Sequence, residues 1–164
     1  MMPGKGREKE QMAAELFRKA YKMQMDGEWD LAISLYKRSI ELHPTAEAHT
    51  FLGWTYRFQG KLEKAIEECK KAIDTDPSLG NPYNDIGAYL IELGQPEEAI
   101  PWLEQATKAK RYDSYHYAWY NLGRVYLAME LFNRARECFS KSLELDPGYT
   151  LAEQALVRIR QIVQ

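Results

Sequence analysis

Apolar residues along this chain recur with the period of an α-helix, in stretches of helix length broken by short polar turns. The pattern also repeats on a longer scale. The segments "DGEWDLAISLYKRSIELHP", "QGKLEKAIEECKKAIDTDP", "LGQPEEAIPWLEQATKAKR" and "MELFNRARECFSKSLELDP" align on one alanine column, Ala32, Ala65, Ala99 and Ala135. A second column of small residues precedes it: Ala20, Gly53, Gly87 and Gly123. Both columns advance by 33, then 34, then 36 residues, so the same uneven spacing appears twice independently. Pro44, Pro77 and Pro147 form a third column, in which Arg111 replaces the third member.

Each unit reads as two helices joined by a tight turn. Gly27, Gly60 and Gly94 supply the positive φ that ends the first helix in three of the four units. The proline stops the second helix, because the residue before a proline avoids helical geometry. The small columns let the paired backbones approach closely, with Leu52, Tyr56, Ile66 and Ile73 expected in the layers around them. One such unit cannot bury its apolar face alone, so units must stack. The last segment, "TLAEQALVRIRQIV", places Leu151, Ala155, Ile159 and Ile162 on one stripe, as a terminal capping helix requires. Residues 1–10 are expected to be a loose end and residues 11–164 a single domain.

These columns resemble the tetratricopeptide repeat family. The second unit reads Leu52, Gly53, Tyr56, Ala65, Ala72, Pro77, with Cys69 where an aromatic is usual. The fourth reads Trp119, Leu122, Gly123, Tyr126, Ala135, Phe139, Ser142, Pro147. The third reads Tyr83, Ile86, Gly87, Leu90, Ala99, Leu103, Ala106, without the proline. The first reads Leu16, Ala20, Met23, Ala32, Tyr36, Ser39, Pro44. The resemblance implies an all-α, right-handed α-solenoid of antiparallel helix pairs, with about nine helices. Its repeats cover about residues 13–45, 46–79, 80–115 and 116–149, and the capping helix covers 150–164. It places Trp119 in the core. In "KRYDSYHYAWY", the connection before the seventh helix holds the two extra residues of the longest step, a packing adjustment, with Asp113 or Ser114 as helix cap.

Composition narrows the function classes. The chain has 164 residues, 45% of them hydrophobic and 28% charged, with a net charge of −2. That balance suits a globular protein and offers no bulk positive field for nucleic acid. No apolar run reaches membrane-span length, and the polar start "MMPGKGREKEQ" does not read as a signal peptide. Cys69 and Cys138 lie far apart within helical patterns, which favours reduced thiols and a cytoplasmic setting. His43, His49 and His116 share no metal-ligand spacing, and no phosphate-binding or nucleophile motif appears. No enzyme activity and no cofactor are expected. Glu63, Glu67, Lys70 and Lys71 read as solvated helix pairs.

The resemblance further implies a concave surface lined by the first helix of each pair. Its candidate partner-binding residues are Phe17, Tyr21, Thr50, Trp54, Arg57, Asn84, Tyr117, Tyr120, Asn121, Arg124 and, on the cap, Arg158. Aromatic and arginine anchors dominate interface energies, and asparagine can satisfy the backbone of an extended peptide. The expected function is protein binding, with a peptide or helix of a partner in this groove. Self-association into a homo-oligomeric scaffold is the alternative, and RNA binding through Arg57, Arg124 and the aromatics a weaker one. A monomer or weak homo-oligomer is expected, with no nucleic-acid or membrane partner. Some family members clamp the acidic EEVD tails of chaperones with lysine, arginine and asparagine. The matching positions here are Phe17, Tyr21, Phe51, Asn81 and Asp85, or Thr50, Trp54, Asp85, Tyr117 and Asn121. Neither set supplies the cations, so no binding of such tails is expected.

Overall fold

The computed structural model of the protein describes residues 4–164. Among them are nine α-helices and no strand: α1 (Lys5–Met25), α2 (Trp29–Leu42), α3 (Ala46–Phe58), α4 (Leu62–Thr75), α5 (Asn81–Glu92), α6 (Pro96–Lys108), α7 (Tyr115–Ala128), α8 (Phe132–Leu145) and α9 (Thr150–Ile162). The loose end expected over residues 1–10 is largely helical, since α1 begins at Lys5 and its first turns are exposed; Met1, Met2 and Pro3 lie outside the described residues. The chain divides into two compact units, Met1–Pro77 and Ser78–Gln164. A repeat chain has no one central core, and its packing closes between neighbours.

Helices α1 with α2, α3 with α4, α5 with α6 and α7 with α8 form four hairpins. The sequence columns explain why they close. Ala32, Ala65, Ala99 and Ala135 are all completely buried, and so are Tyr36, Cys69, Leu103 and Phe139 one turn further along the second helices. Each glycine of the small column lies directly against the second helix of its pair. A Cβ on Gly53 would stand 2.9 Å from the Ala65 carbonyl oxygen and 3.3 Å from Cys69 Sγ. On Gly87 it would meet Leu103 Cδ2 at 2.3 Å, and on Gly123 the Phe139 ring at 2.5 Å. Two pairs carry serine where the others carry alanine. Ser39 and Ser142 are buried, and their hydroxyls donate to the carbonyls of Ala13 at 2.7 Å and His116 at 2.8 Å. Burial of a hydroxyl is tolerable because its bond is made.

All four hairpin turns close the same way. The amides of Glu28, Lys61, Gln95 and Leu131 each donate to the carbonyl five residues back, at 2.9–3.0 Å. Three turns place glycine at positive φ, whereas the fourth forces Glu130 to φ 58°. The stops also follow the sequence. His43, Asp76 and Asp146 are extended, each immediately before a proline. Where the proline is missing, the segment around Arg111 pairs with the loop before α5 through Arg111 N to Ser78 O (2.9 Å) and Gly80 N to Arg111 O (3.0 Å). Tyr112 is buried there against Gly80, where a Cβ would lie 2.4 Å from its ring. The two extra residues therefore close a small apolar cluster of Ala106, Ala109, Tyr112 and Ala118.

Four local expectations change. Trp119 is half-buried; Ala118, Leu122 and Val125 form the buried stripe of α7. Ile66 and Ile73 are half-buried as well. Ser114 sits at the start of α7 but makes no capping bond, its hydroxyl donating to Asp113 instead. The α9 stripe is rotated: Ala152 and Ile159 are buried, Ala155 and Leu156 pack beside them, and Leu151 and Ile162 are 47% exposed.

One buried charge was not foreseen. Glu68 is 8% exposed on α4 and takes hydrogen bonds from His49 Nδ1 at 2.8 Å and Lys71 Nζ at 2.9 Å. Burial would raise its carboxyl pKa, but the bonds and charges of His49 and Lys71 outweigh this and hold it below the ordinary 4.5. A depressed carboxylate stabilises the fold above its unfolded pKa, and that stability is lost as pH falls through the folded value.

Two predictions follow from this packing. Glu68→Gln lowers unfolding free energy by about 1–3 kcal/mol at neutral pH, and flattens the loss of stability that the wild type shows on acidification below its ordinary pKa. Urea titrations across pH read both, and an unchanged acid limb contradicts the assignment. Gly53→Ala costs about 1–3 kcal/mol because the atom it meets is backbone and cannot swing aside; a neutral result in the same titration would show that the hairpin has slack.

Candidate functional site

In the first unit, α3 turns one face of aromatics outward at Phe51, Trp54 and Phe58, three and four residues apart. Phe17 and Tyr21 of α1 meet Phe51 edge-on at 5.3 and 5.7 Å, and Trp54 lies 5.8 Å from Phe51 and 5.4 Å from Phe58. Trp29 stacks on Phe58 at 6.0 Å, with the planes 8° apart. The Arg57 guanidinium lies 5.8 Å from the same ring. The result is a continuous aromatic surface whose ends, Tyr21, Trp29 and Phe58, are exposed by 37–42%. Thr50 does not belong to it: it is buried and donates its hydroxyl to Ala46 O at 2.7 Å.

The second unit gathers a different set. Tyr149 was not among the expected residues, yet it organises the cluster. Its ring meets His116, Tyr117 and Tyr120 edge-on at 5.1, 5.4 and 5.2 Å. Tyr120 reaches the core through Phe139 at 5.5 Å, while Tyr117 is 43% exposed. Burial, with the neighbouring phenols of Tyr120 and Tyr117, pushes the Tyr149 pKa up to about 12. The sequence signal was its position two residues after Pro147, where the chain turns back over the α7 face.

The asparagines behave differently from expectation. Asn84 and Asn121 are buried, and Asn121 Nδ2 donates to Asn84 Oδ1 at 3.0 Å. Arg124 Nη1 donates to Asn121 Oδ1 at 3.1 Å. These amides spend bonding capacity on each other and on an arginine, and their visible role is to fix that arginine. Arg124 and the exposed Arg158 line a cavity of about 530 Å³ with Tyr120, Leu127, Leu151 and Gln154. The expected residues therefore fall into three groups. Phe17, Tyr21, Trp54 and Arg57 share the first unit's aromatic face; in the second unit Tyr120, Arg124 and Arg158 line the cavity and Tyr117 packs on Tyr149. Thr50, Asn84 and Asn121 are buried supports. Among the described residues no three of His, Cys, Asp and Glu come together to hold a metal, and no helix is long and apolar enough to cross a membrane.

Comparison with known proteins agrees with this architecture. Sequence profiles described as tetratricopeptide repeat match residues 46–79, 81–113 and 116–149. The α1–α2 hairpin ahead of them is built the same way. The type IV pilus assembly protein PilF of Pseudomonas aeruginosa is 32% identical over 111 residues, 67% of this chain and 44% of that protein. The probable N-acetylglucosaminyltransferase SPINDLY of Hordeum vulgare is 33% identical over 68% of this chain, which spans only 12% of it. Among solved structures, P. aeruginosa PilF superimposes with a TM-score of 0.86 at 24% identity, covering 92% of this chain and 68% of that one. MamA superimposes at 0.76 with 27% identity, covering 92% and 81%. This chain spans less than half the length of the curated relatives it matches. With the profiles covering most of the chain, the repeat columns buried and the helix pairs in place, the protein belongs to the tetratricopeptide repeat family.

Proposed function

We propose that this protein is a non-enzymatic interaction module that binds a peptide or a helix of a partner protein on its aromatic faces. The observation that carries this reading is the outward aromatic surface of each unit. Tyr21, Trp29, Phe58 and Tyr117 leave 37–43% of their surface in water, yet ring-to-ring contacts hold them in place. Large aromatics fixed in this way lose little freedom on binding, which is what makes an anchor effective. The transferase named among the relatives shares 12% of its length with this chain, so its activity is not transferred. The TPR domain solved with the HSP90 peptide SRMEEVD shares the fold at 24% identity. At the positions that clamp such tails this chain carries no lysine or arginine, and Asp85 would repel a carboxylate, so the reading excludes tails of that kind.

The test is a pull-down of wild type beside a Trp54→Ala, Tyr117→Ala double variant. Tyr117 is preferred to Tyr120 because Tyr120 packs on the core ring of Phe139. Each truncation is expected to weaken the captured partner by about 1–3 kcal/mol while circular dichroism stays unchanged. Equal capture by both proteins would move the functional surface away from the aromatic faces.

A further inference from the structure

The cavity of the second unit has a charge pattern that its apolar walls do not require. Ile91, Tyr120, Leu127, Phe139 and Leu151 supply apolar surface, and Arg124 and Arg158 supply two positive charges. No aspartate or glutamate is among its lining residues. Among the described residues Arg158 has no ion-pair partner, and the side-chain bond of Arg124 goes to the neutral amide of Asn121. The chain has a net charge of −2, yet α7, the helix that carries Arg124, has no aspartate or glutamate, so the two guanidiniums line an apolar hollow with no carboxylate among its lining residues. Guanidinium groups bind carboxylates by paired charge-assisted hydrogen bonds, and more strongly beside a low-dielectric wall than in open water. The second observation is positional. Arg124 is held by the Asn84–Asn121 pair, at 3.0 and 3.1 Å along the chain of bonds, so it is aimed before any ligand arrives.

We infer that this cavity takes an internal segment of a partner protein in which a bulky apolar side chain is flanked by aspartate or glutamate. This rests on the reading above that the module binds a protein. The apolar side chain enters between Leu127, Leu151 and Tyr120, and the acidic side chain pairs with Arg124 and Arg158 at the rim. A volume of about 530 Å³ accommodates one large side chain with part of its backbone, and falls within the usual range of ligand sites.

The experiment uses fluorescence anisotropy with four labelled peptides of one length, acetylated and amidated at their ends. One alternates leucine with glutamate; in the others glutamine replaces glutamate, lysine replaces glutamate, or alanine replaces leucine. The leucine–glutamate peptide is expected to bind, and each of the others to bind about 10-fold more weakly or worse. Arg158→Gln, at an exposed position where folding is not at risk, is expected to lower its affinity about 10-fold. Raising salt from about 0.05 to about 0.5 M is expected to weaken it as well. Binding that ignores the glutamates, or Arg158, overturns the inference. So does a peptide with a free terminal carboxylate that binds better than its amidated form, since the anion would then be a chain end. Displacement by a single-stranded RNA in preference to the acidic peptide overturns it too. If these peptides fail while Tyr117→Ala still loses the pulled-down partner, the ligand class is wrong and the protein-binding reading stands.

Discussion

The tight packing of each first helix on its second at the small-residue columns is the constraint on which the rest depends. Where Gly53 meets the Ala65 carbonyl, or Gly87 meets Leu103, there is no room for even a methyl group. That contact fixes the rotation of both helices in a pair. Once the rotation is fixed, the residues one turn away are determined as well. Tyr36, Cys69, Leu103 and Phe139 must fill the space beside the contact, and they are buried completely despite their different volumes. The smallest of them, Cys69, lies 3.3 Å from where a Gly53 Cβ would be, so that pair closes by approach more than by side-chain bulk.

The same rotation decides what is left for function. A helix that gives one side to its hairpin partner and another to the neighbouring pair keeps one strip free. On α3 that strip is Phe51, Trp54 and Phe58; on α7 it carries Tyr117, Tyr120 and Arg124. Polar groups drawn inward by the rotation are satisfied locally. Ser39 and Ser142 bond to first-helix carbonyls, Glu68 gathers His49 and Lys71, and the Asn84–Asn121 pair supports Arg124. Buried polar groups of this kind specify a register, because any other rotation would leave them unpaired.

Spacing made the architecture legible in the sequence. Two columns in step identify the hairpins, and the prolines and turn glycines mark their ends. Side-chain detail was less legible, for physical reasons. Thr50, Asn84 and Asn121 carry polar groups, which suggested a wet surface; each makes its bonds within the protein. Trp119 is half-buried, whereas its neighbour Ala118 is buried completely. In α9, Leu151, Ala155, Ile159 and Ile162 form a good stripe on paper, but the helix buries Ala152 and Ile159. Tyr149 was missed because it lies between helices, where no periodicity points to it. Glu130 shows that a turn defined by its hydrogen bonds keeps its geometry even without glycine.

The central claim is that partners meet the aromatic face of each unit and not the outer surface of the second helices. The most direct measurement places a photoreactive phenylalanine analogue, one position at a time, at Tyr21, Trp54 and Tyr117 and at the exposed Lys64 and Arg136, then illuminates the complex with the captured partner. Crosslinks from Tyr21, Trp54 or Tyr117, with none from Lys64 and Arg136, are the predicted result. Crosslinks from Lys64 or Arg136 with the aromatic positions silent would contradict the account.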